Sequence, residues 1–312
     1  MTPDILIPYG HTKEVNRMLR EGKEVVRSNP VLRPGGAVAN TVSVLGKLGL
    51  SPYMLGGVDA YEYGDFIIDY LNSIGVRTEY IYRQAERMSL ILAVLDGDER
   101  IIYLFNGPGA KLPEPEVQHL PANLHETVTW AHSNGFANDC VVDYLAACKR
   151  ACATVSFDLN LRCETFGLDD LRRARIMRAV ETCDYLFGSG AEEFVPLTGI
   201  PDFVRAAESL ATGSRTVIAR DGANPVHIFK NGIHSIVPTL PTRVVNSVGG
   251  GDAANGGFIA AKALGKSTLE AVLWGNLCAS SAIASHKPHH VPSRETLERR
   301  TAELLGKSNI EN

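Results

Sequence analysis

The chain has 312 residues, with 31 Lys and Arg against 35 Asp and Glu, a formal net charge of −4 and 45% hydrophobic side chains. That length supports one large core or two smaller ones, and the charge balance argues against nucleic acid as a partner. Met1 to Ile7 lacks the basic and apolar regions of a secretory signal, and no apolar run approaches the length of a membrane span. The expectation is a cytoplasmic protein with no membrane partner, whose cysteines are reduced.

Ile5 to Pro8 reads as a short strand closed by Gly10, and the polar stretch 11–34 as loop or hairpin around Glu21-Gly22-Lys23. Gly35-Gly36 then opens an apolar helix through Val38, Val42, Leu45 and Leu48 that ends at Gly49. Tyr53 to Leu55 is strand-like, and Phe66, Ile67, Tyr70 and Leu71 give a second helical face stopped by Gly75. Ser89 to Leu95 and Arg100 to Phe105 flank Asp96-Gly97-Asp98, the signature of a hairpin. After Pro115 the chain alternates again. Thr127–Ala131, Thr154–Phe157, Tyr185–Phe187 and Thr216–Ala219 are buried-strand candidates, separated by helical stretches, and Val226–Phe229 with Ile233–Val237 forms a hairpin at Asn231-Gly232. Helices over about 252–264 and 268–285 and a charged segment at 293–305 finish the chain. Strands alternating with helices define an α/β protein.

Several local features admit a structural reading. Arg172, Arg173, Arg175 and Arg178 alternate with apolar residues, as on the solvated face of a helix. Cys148 and Cys152 have the spacing of one helix face, and none of the six cysteines shows metal-ligand pairing. Three histidines crowd Ser285 to His290, but His289 and His290 are consecutive and no cysteine or carboxylate spacing accompanies them. That pattern reads as loop histidines rather than a zinc site.

The most informative segment is Val248 to Phe258, where Gly249-Gly250-Gly251-Asp252 leads into an alanine-rich apolar run. A glycine turn feeding a helix exposes amides that, with the helix dipole, hold anionic oxygens. A carboxylate beside them can take a proton from an alcohol. The same residues also suit a plain turn with Asp as a cap. No Gly-Lys-Ser or Gly-Lys-Thr follows, so the run is not a Walker sequence.

The Gly-Gly-Ala-Val-Ala-Asn block at 35–40 with Leu-Gly-Lys-Leu-Gly at 45–49, and the run 248–258, resemble the two signatures of the ribokinase, or PfkB, family of ATP-dependent sugar and nucleoside kinases. Phe157 to Arg162 is similar to a strand-end motif of fructose and 2-keto-3-deoxygluconate kinases. The resemblance implies a ribokinase-like three-layer α/β/α sandwich in a single domain, with a small β-sheet lid built from about 11–34 and 76–108. It implies ATP and Mg2+ as cofactors, with a monovalent cation left open, and a homodimer through the lid. Carried over, Asp252 is the general base and the amides of Gly249, Gly250 and Gly251 form the anion hole. Gly35, Gly36, Asn40, Asn160, Arg162 and Glu14 fall on the acceptor side. Ser189, Glu192 and Asn246 fall on the nucleotide side, Glu192 as the carboxylate that organises magnesium and Glu193 as an ordinary helix-face charge, roles that a one-residue slip would exchange.

Departures from the family pattern bear on the acceptor. Ser189 replaces an Asn, Asn246 replaces an Asp, and Val15 stands where many sugar kinases carry an acceptor-gripping Asp, with His11, Glu14 and Asn16 nearby. The Gly-Val-Gly-x-Asp stretch has become Gly57-Val58-Asp59-Ala60-Tyr61. The reading is an active kinase of a sugar, sugar acid or related metabolite. A nucleoside kinase, its base slot lined by Tyr9, Tyr53, Phe105 or Phe136, and a catalytically weak ligand-binding protein on the same fold stand as alternatives.

Overall fold

A computed structural model describes residues 1–8, 29–96, 99–105 and 114–307. They divide into two units, Met1–Glu114 with Leu240–Asn312, and Pro115–Thr239.

In the first unit, β1 (Thr2–Pro8), β2 (Val31–Gly35), β5 (Leu90–Asp96) and β6 (Glu99–Phe105) form a sheet in the order β2-β1-β5-β6. β1 runs antiparallel to β2 and parallel to β5. Strand alternation puts Leu6, Val31 and Ala93 on one face, where they pack with Val248 just before the glycine run. The Asp96–Glu99 pairing bears out the hairpin expected there, although Gly97 and Asp98 lie outside the described residues.

Helix α1 (Ala37–Lys47) opens on Gly36, whose φ of 98° costs a glycine little. Expected between Tyr53 and Leu55, the next strand instead spans Gly56–Asp59 (β3) and pairs in parallel with β4 (Ile81–Gln84). The apolar triplet makes only an isolated bridge from Tyr53 to Arg77 and buries Met54. Between β3 and β4 runs α2 (Glu62–Ser73), and its side chains Ile67 and Leu71 pack with Val42, Met54 and Val58.

The second unit holds one six-stranded sheet, in the order β12-β11-β10-β9-β8-β7. β7 (Trp130–Asn134), β8 (Thr154–Asp158), β9 (Tyr185–Ser189) and β10 (Thr216–Arg220) are parallel, while β11 (Val226–Lys230) and β12 (Ile233–Val237) form the expected antiparallel hairpin. β7 starts three residues later than the sequence suggests. A 3-10 turn at Leu124–Glu126, held by Thr127 Oγ1 bonding the Leu124 carbonyl at 3.0 Å, occupies the preceding segment.

α3 (Asp139–Arg150), the single turn α4 (Cys163–Phe166), α5 (Asp170–Thr182), α6 (Gly190–Thr198) and α7 (Phe203–Ser209) complete this unit. Its core gathers Val155, Phe157, Leu186, Phe194 and Val217 with Leu145 and Ile176. Two expectations need correction. Cys152 is exposed and lies beyond the end of α3, so it shares no helix face with buried Cys148. The arginines of α5 are not merely solvated, since Arg173 bonds the Pro196 and Leu197 carbonyls while Arg175 and Arg178 pair with Asp139.

The chain returns to the first unit for α8 (Gly250–Ala263), α9 (Thr268–Ile283) and α10 (Arg294–Lys307), the last formed by the charged tail segment. A Cβ on Gly256 would stand 2.6 Å from Val44 Cβ, and one on Gly257 2.8 Å from the Trp274 carbonyl oxygen. α8 therefore lies against α1 on one side and α9 on the other at a distance only glycine allows. Ser267 and Glu270 form a reciprocal capping box at the start of α9. Among the described residues, no helix is long and apolar enough to cross a membrane.

Candidate functional site

Asp252 sits in the first turn of α8, and Gly249, at φ 84°, is the N-cap and has no side chain to bond the helix's first amides. The helix start is thus a set of N–H groups with a carboxylate among them. The Asx turn before it is made by Asn246, which is buried and accepts from the Val248 amide at 2.9 Å. A neutral Asn serves that turn as well as the Asp of the family pattern, and its buried side chain is taken up by the backbone.

Asn40 reaches Asp252 from α1, 212 residues away, and its Nδ2 donates to Asp252 Oδ2 at 2.7 Å. Thr41 Oγ1 donates to the Asp252 carbonyl at 3.2 Å. The other end of the Asn40 amide is also engaged, because Oδ1 lies 2.8 Å from His289 Nε2, and His289 Nδ1 lies 2.8 Å from the Tyr70 hydroxyl.

One proton arrangement satisfies every pair. Tyr70 donates to Nδ1, Nε2–H donates to Asn40, and Asn40 donates to the carboxylate. It requires a neutral imidazole. Burial holds the His289 pKa well below its ordinary value, helped by the Arg33 and Lys47 charges, and burial pushes the Tyr70 phenol up to about 12. The loop that carries His289 is tied to the end of α1 by Lys47 Nζ on the Pro288 carbonyl at 2.7 Å. His289 itself takes φ 47°, a strained conformation for a residue with a Cβ. His289 therefore stands behind Asn40, while His286 and His290 are exposed, and among the described residues no group of three His, Cys, Asp or Glu could hold a metal.

Gly35 and Gly36 are explained by the backbone. A Cβ on Gly35 would fall 2.0 Å from Asp4 Oδ1, so the buried Asp4 carboxylate occupies that space. Across the β1–β2 ladder, Arg33 stands directly opposite Asp4. Neither residue was singled out by the sequence. Glu14, Val15, His11, Asn16 and Tyr9 lie outside the described residues. Asp59 is fully buried and accepts from the Gly64 amide at 2.9 Å and the Met88 amide at 3.3 Å, so its carboxylate holds the start of α2.

The second unit gathers its own polar cluster at the carboxyl ends of β8 and β9, where parallel sheets expose their crevices. Asn160 at φ 36° and Arg162 at φ 48° are both left-handed, in a tight loop after Asp158. Arg162 is exposed. The buried Asp158 carboxylate lies 3.7 Å from Arg220.

Glu193 corrects the reading of an ordinary surface charge. It is buried, accepts from the Ser189 amide at 2.7 Å and the Leu161 amide at 3.3 Å, and so joins the two strand ends. Burial and the Asp158 charge raise its pKa to about 8. Glu192, one residue earlier, is exposed in the first turn of α6, which Ser189 precedes as N-cap. Of the proposed base-slot rings, Tyr53 lies against Tyr80 and under the Arg77 guanidinium, and Phe136 against Phe166. Phe136 nevertheless stays exposed and Tyr53 half-buried.

A glycine-opened helix start beside a carboxylate, on an α/β scaffold, is the equipment of an enzyme that moves a phosphoryl group onto a hydroxyl. The model of the pfkB family of carbohydrate kinases matches residues 8–294, and the chain belongs to that family. It is 25% identical over 283 residues to Fructokinase-2 of Oryza sativa subsp. japonica, covering 86% of this chain and 83% of the relative. To the 5-dehydro-2-deoxygluconokinase of Clostridium tetani it is 24% identical, over 90% of this chain and 87% of that one. Among solved structures, the fructokinase of Xylella fastidiosa with bound ATP superposes with a TM-score of 0.78 at 21% identity, covering 97% and 96% of the two chains. The fold is ribokinase-like α/β, and the protein is a carbohydrate kinase.

Proposed function

We propose that the protein transfers the γ-phosphoryl group of ATP to a hydroxyl of a small sugar or sugar acid, with Asp252 as general base. The observation that carries this reading is the 2.7 Å bond by which Asn40 orients the Asp252 carboxylate at the glycine-opened start of α8. Asp252 takes the proton of the attacking hydroxyl, and the amides of Gly249, Gly250 and Gly251 hold the charge spread over the transferring group.

On the nucleotide side, exposed Glu192 fits magnesium, which is bound mostly through phosphates and water and needs only one or two carboxylates. Asn160 and Arg162 are proposed acceptor contacts, supported by their strained positive φ at the end of β8. The sheet β2-β1-β5-β6 is proposed as a lid over the acceptor, supported by the packing of its Leu6, Val31 and Ala93 with Val248. Lid closure would keep water from competing for the phosphoryl group.

The test is release of ADP from Mg-ATP with fructose, ribose and 2-keto-3-deoxy sugar acids, run in parallel with Asp252→Asn. An acceptor-dependent rate that falls at least a hundredfold in the variant supports the assignment. An unchanged rate in Asp252→Asn removes Asp252 from the chemistry.

A further inference from the structure

Arg33 has a feature the kinase reading leaves unused. The residue is 4% exposed, and its Nε and Nη2 are buried without a hydrogen-bond partner. The nearest countercharge is Asp4, 3.9 Å from Nε, beyond hydrogen-bond reach. The Asp4 carboxylate is instead bonded by the Thr2 hydroxyl at 2.8 Å. A desolvated guanidinium with unfilled donors is costly unless something fills them.

The direction in which those donors point is informative. A Cβ built on Gly249 would lie 3.5 Å from Arg33 Nη2, 3.7 Å from Nη1 and 3.5 Å from Asn40 Nδ2. The guanidinium and the Asn40 amide therefore converge on the glycine turn that opens α8, on the side of the catalytic carboxylate. Asp252, Asp4 and Tyr70 each favour the charged form of Arg33, against burial, which disfavours it. An anion approaching this turn would be repelled by Asp252 and Asp4. Arg33 is the cation that offsets this repulsion, and its planar fork suits paired oxygens.

We propose that Arg33 is an anion-binding residue of the acceptor pocket, its unfilled donors taking anionic oxygens between Asp252 and the Gly249 turn. Those oxygens come either from a carboxylate on the acceptor or from the phosphoryl group in transfer. The proposal rests on the kinase reading above and extends it to the charge of what is bound.

The experiment compares wild type with Arg33→Gln, using Mg-ATP and two acceptors, neutral fructose and the acid 2-keto-3-deoxygluconate. A carboxylate source predicts a KM for the acid raised at least thirtyfold in Arg33→Gln, with the fructose constants unchanged. A phosphoryl source predicts kcat lowered at least tenfold for both acceptors, with each KM unchanged.

Constants equal to wild type for both acceptors overturn the proposal. Because Arg33→Gln leaves Asp4 alone in a buried site, the pair Asp4→Asn with Arg33→Gln is assayed beside it. Recovery of wild-type constants in the pair assigns Arg33 a purely structural role and also overturns the proposal, whereas continued loss upholds it even if the single variant does not fold. The underlying reading fails separately, through a wild type that turns over no acceptor. The Arg33 proposal is then decided by titration calorimetry with inorganic phosphate, whose binding Arg33→Gln must lose.

Discussion

The chain of bonds from Tyr70 through His289 and Asn40 to Asp252 makes a quantitative claim about Asn40. As an acceptor contact alone, its loss would weaken substrate binding. Here both ends of its amide are occupied, Nδ2 by Asp252 at 2.7 Å and Oδ1 by His289 at 2.8 Å. Asn40→Ala therefore removes a hydrogen bond to a charged group, worth about 1.5–3 kcal/mol. If that bond aligns the base in the transition state, kcat falls roughly ten- to hundredfold while the acceptor KM changes little.

His289→Ala removes two neutral bonds, of which only the one to Asn40 bears on the carboxylate, about 1 kcal/mol and roughly fivefold in kcat. The double variant should then be no slower than Asn40→Ala, a strongly non-additive cycle. The assay is steady-state kinetics of all three variants on one acceptor. Multiplication of the two single effects in the double variant, or a raised KM with kcat intact in Asn40→Ala, would refute the argument.

Other outcomes follow from the second unit and from the surface. Asp158→Asn should lower the Glu193 pKa from about 8, because the Asp158 charge is the second cause of its elevation after burial; carbon-detected NMR titration measures it, and an unmoved value contradicts the coupling. Since that folded-state pKa lies above the ordinary carboxylate value, the contribution of Glu193 to stability declines as pH rises from about 4.5 through about 8, so above about 6.5 wild-type stability should fall with pH more steeply than that of Asp158→Asn. His132, bonded to Ser156 at 2.9 Å, has its pKa lowered to about 4, mainly by burial. It is neutral in the fold and charged in the unfolded chain below about 6.5, so the midpoint of wild type relative to His132→Gln should fall as pH drops from 6.5 towards 4. Leu32 and Phe105 are exposed on the face of the four-stranded sheet opposite to Leu6 and Ala93, which supports the proposed homodimer through it; sedimentation should give twice the chain mass, and Phe105→Glu should halve it, whereas a monomeric wild type rejects the dimer.

What the sequence revealed was local. Gly36 and Gly249 announce helix starts because a positive φ is written in the residue type itself, and the run from Ala253 to Ala261 carries its own burial. The pairing of Asn40 with Asp252 spans 212 positions and depends on how two helices pack, which no spacing encodes. His289 offered no cue beyond its neighbours, because burial of one histidine among three is decided by the turn at φ 47°. Arg33 and Asp4 meet through strand register, and the segment joining their strands gives no sign of it. Glu193 is different, since a signal was available. Gly190, Phe194 and Leu197 mark the buried stripe of α6, and Glu193 falls on that stripe while Glu192 does not.

The close flanking of α8 has a further implication for how turnover proceeds. With Val44 against Gly256 and Trp274 against Gly257, a tilt of α8 in either direction meets another helix at once. The carboxylate at its tip is therefore a stationary post. With Asp252 as the proposed base, any approach of the reacting groups has to be made by what surrounds that post, and the acceptor is delivered to the carboxylate.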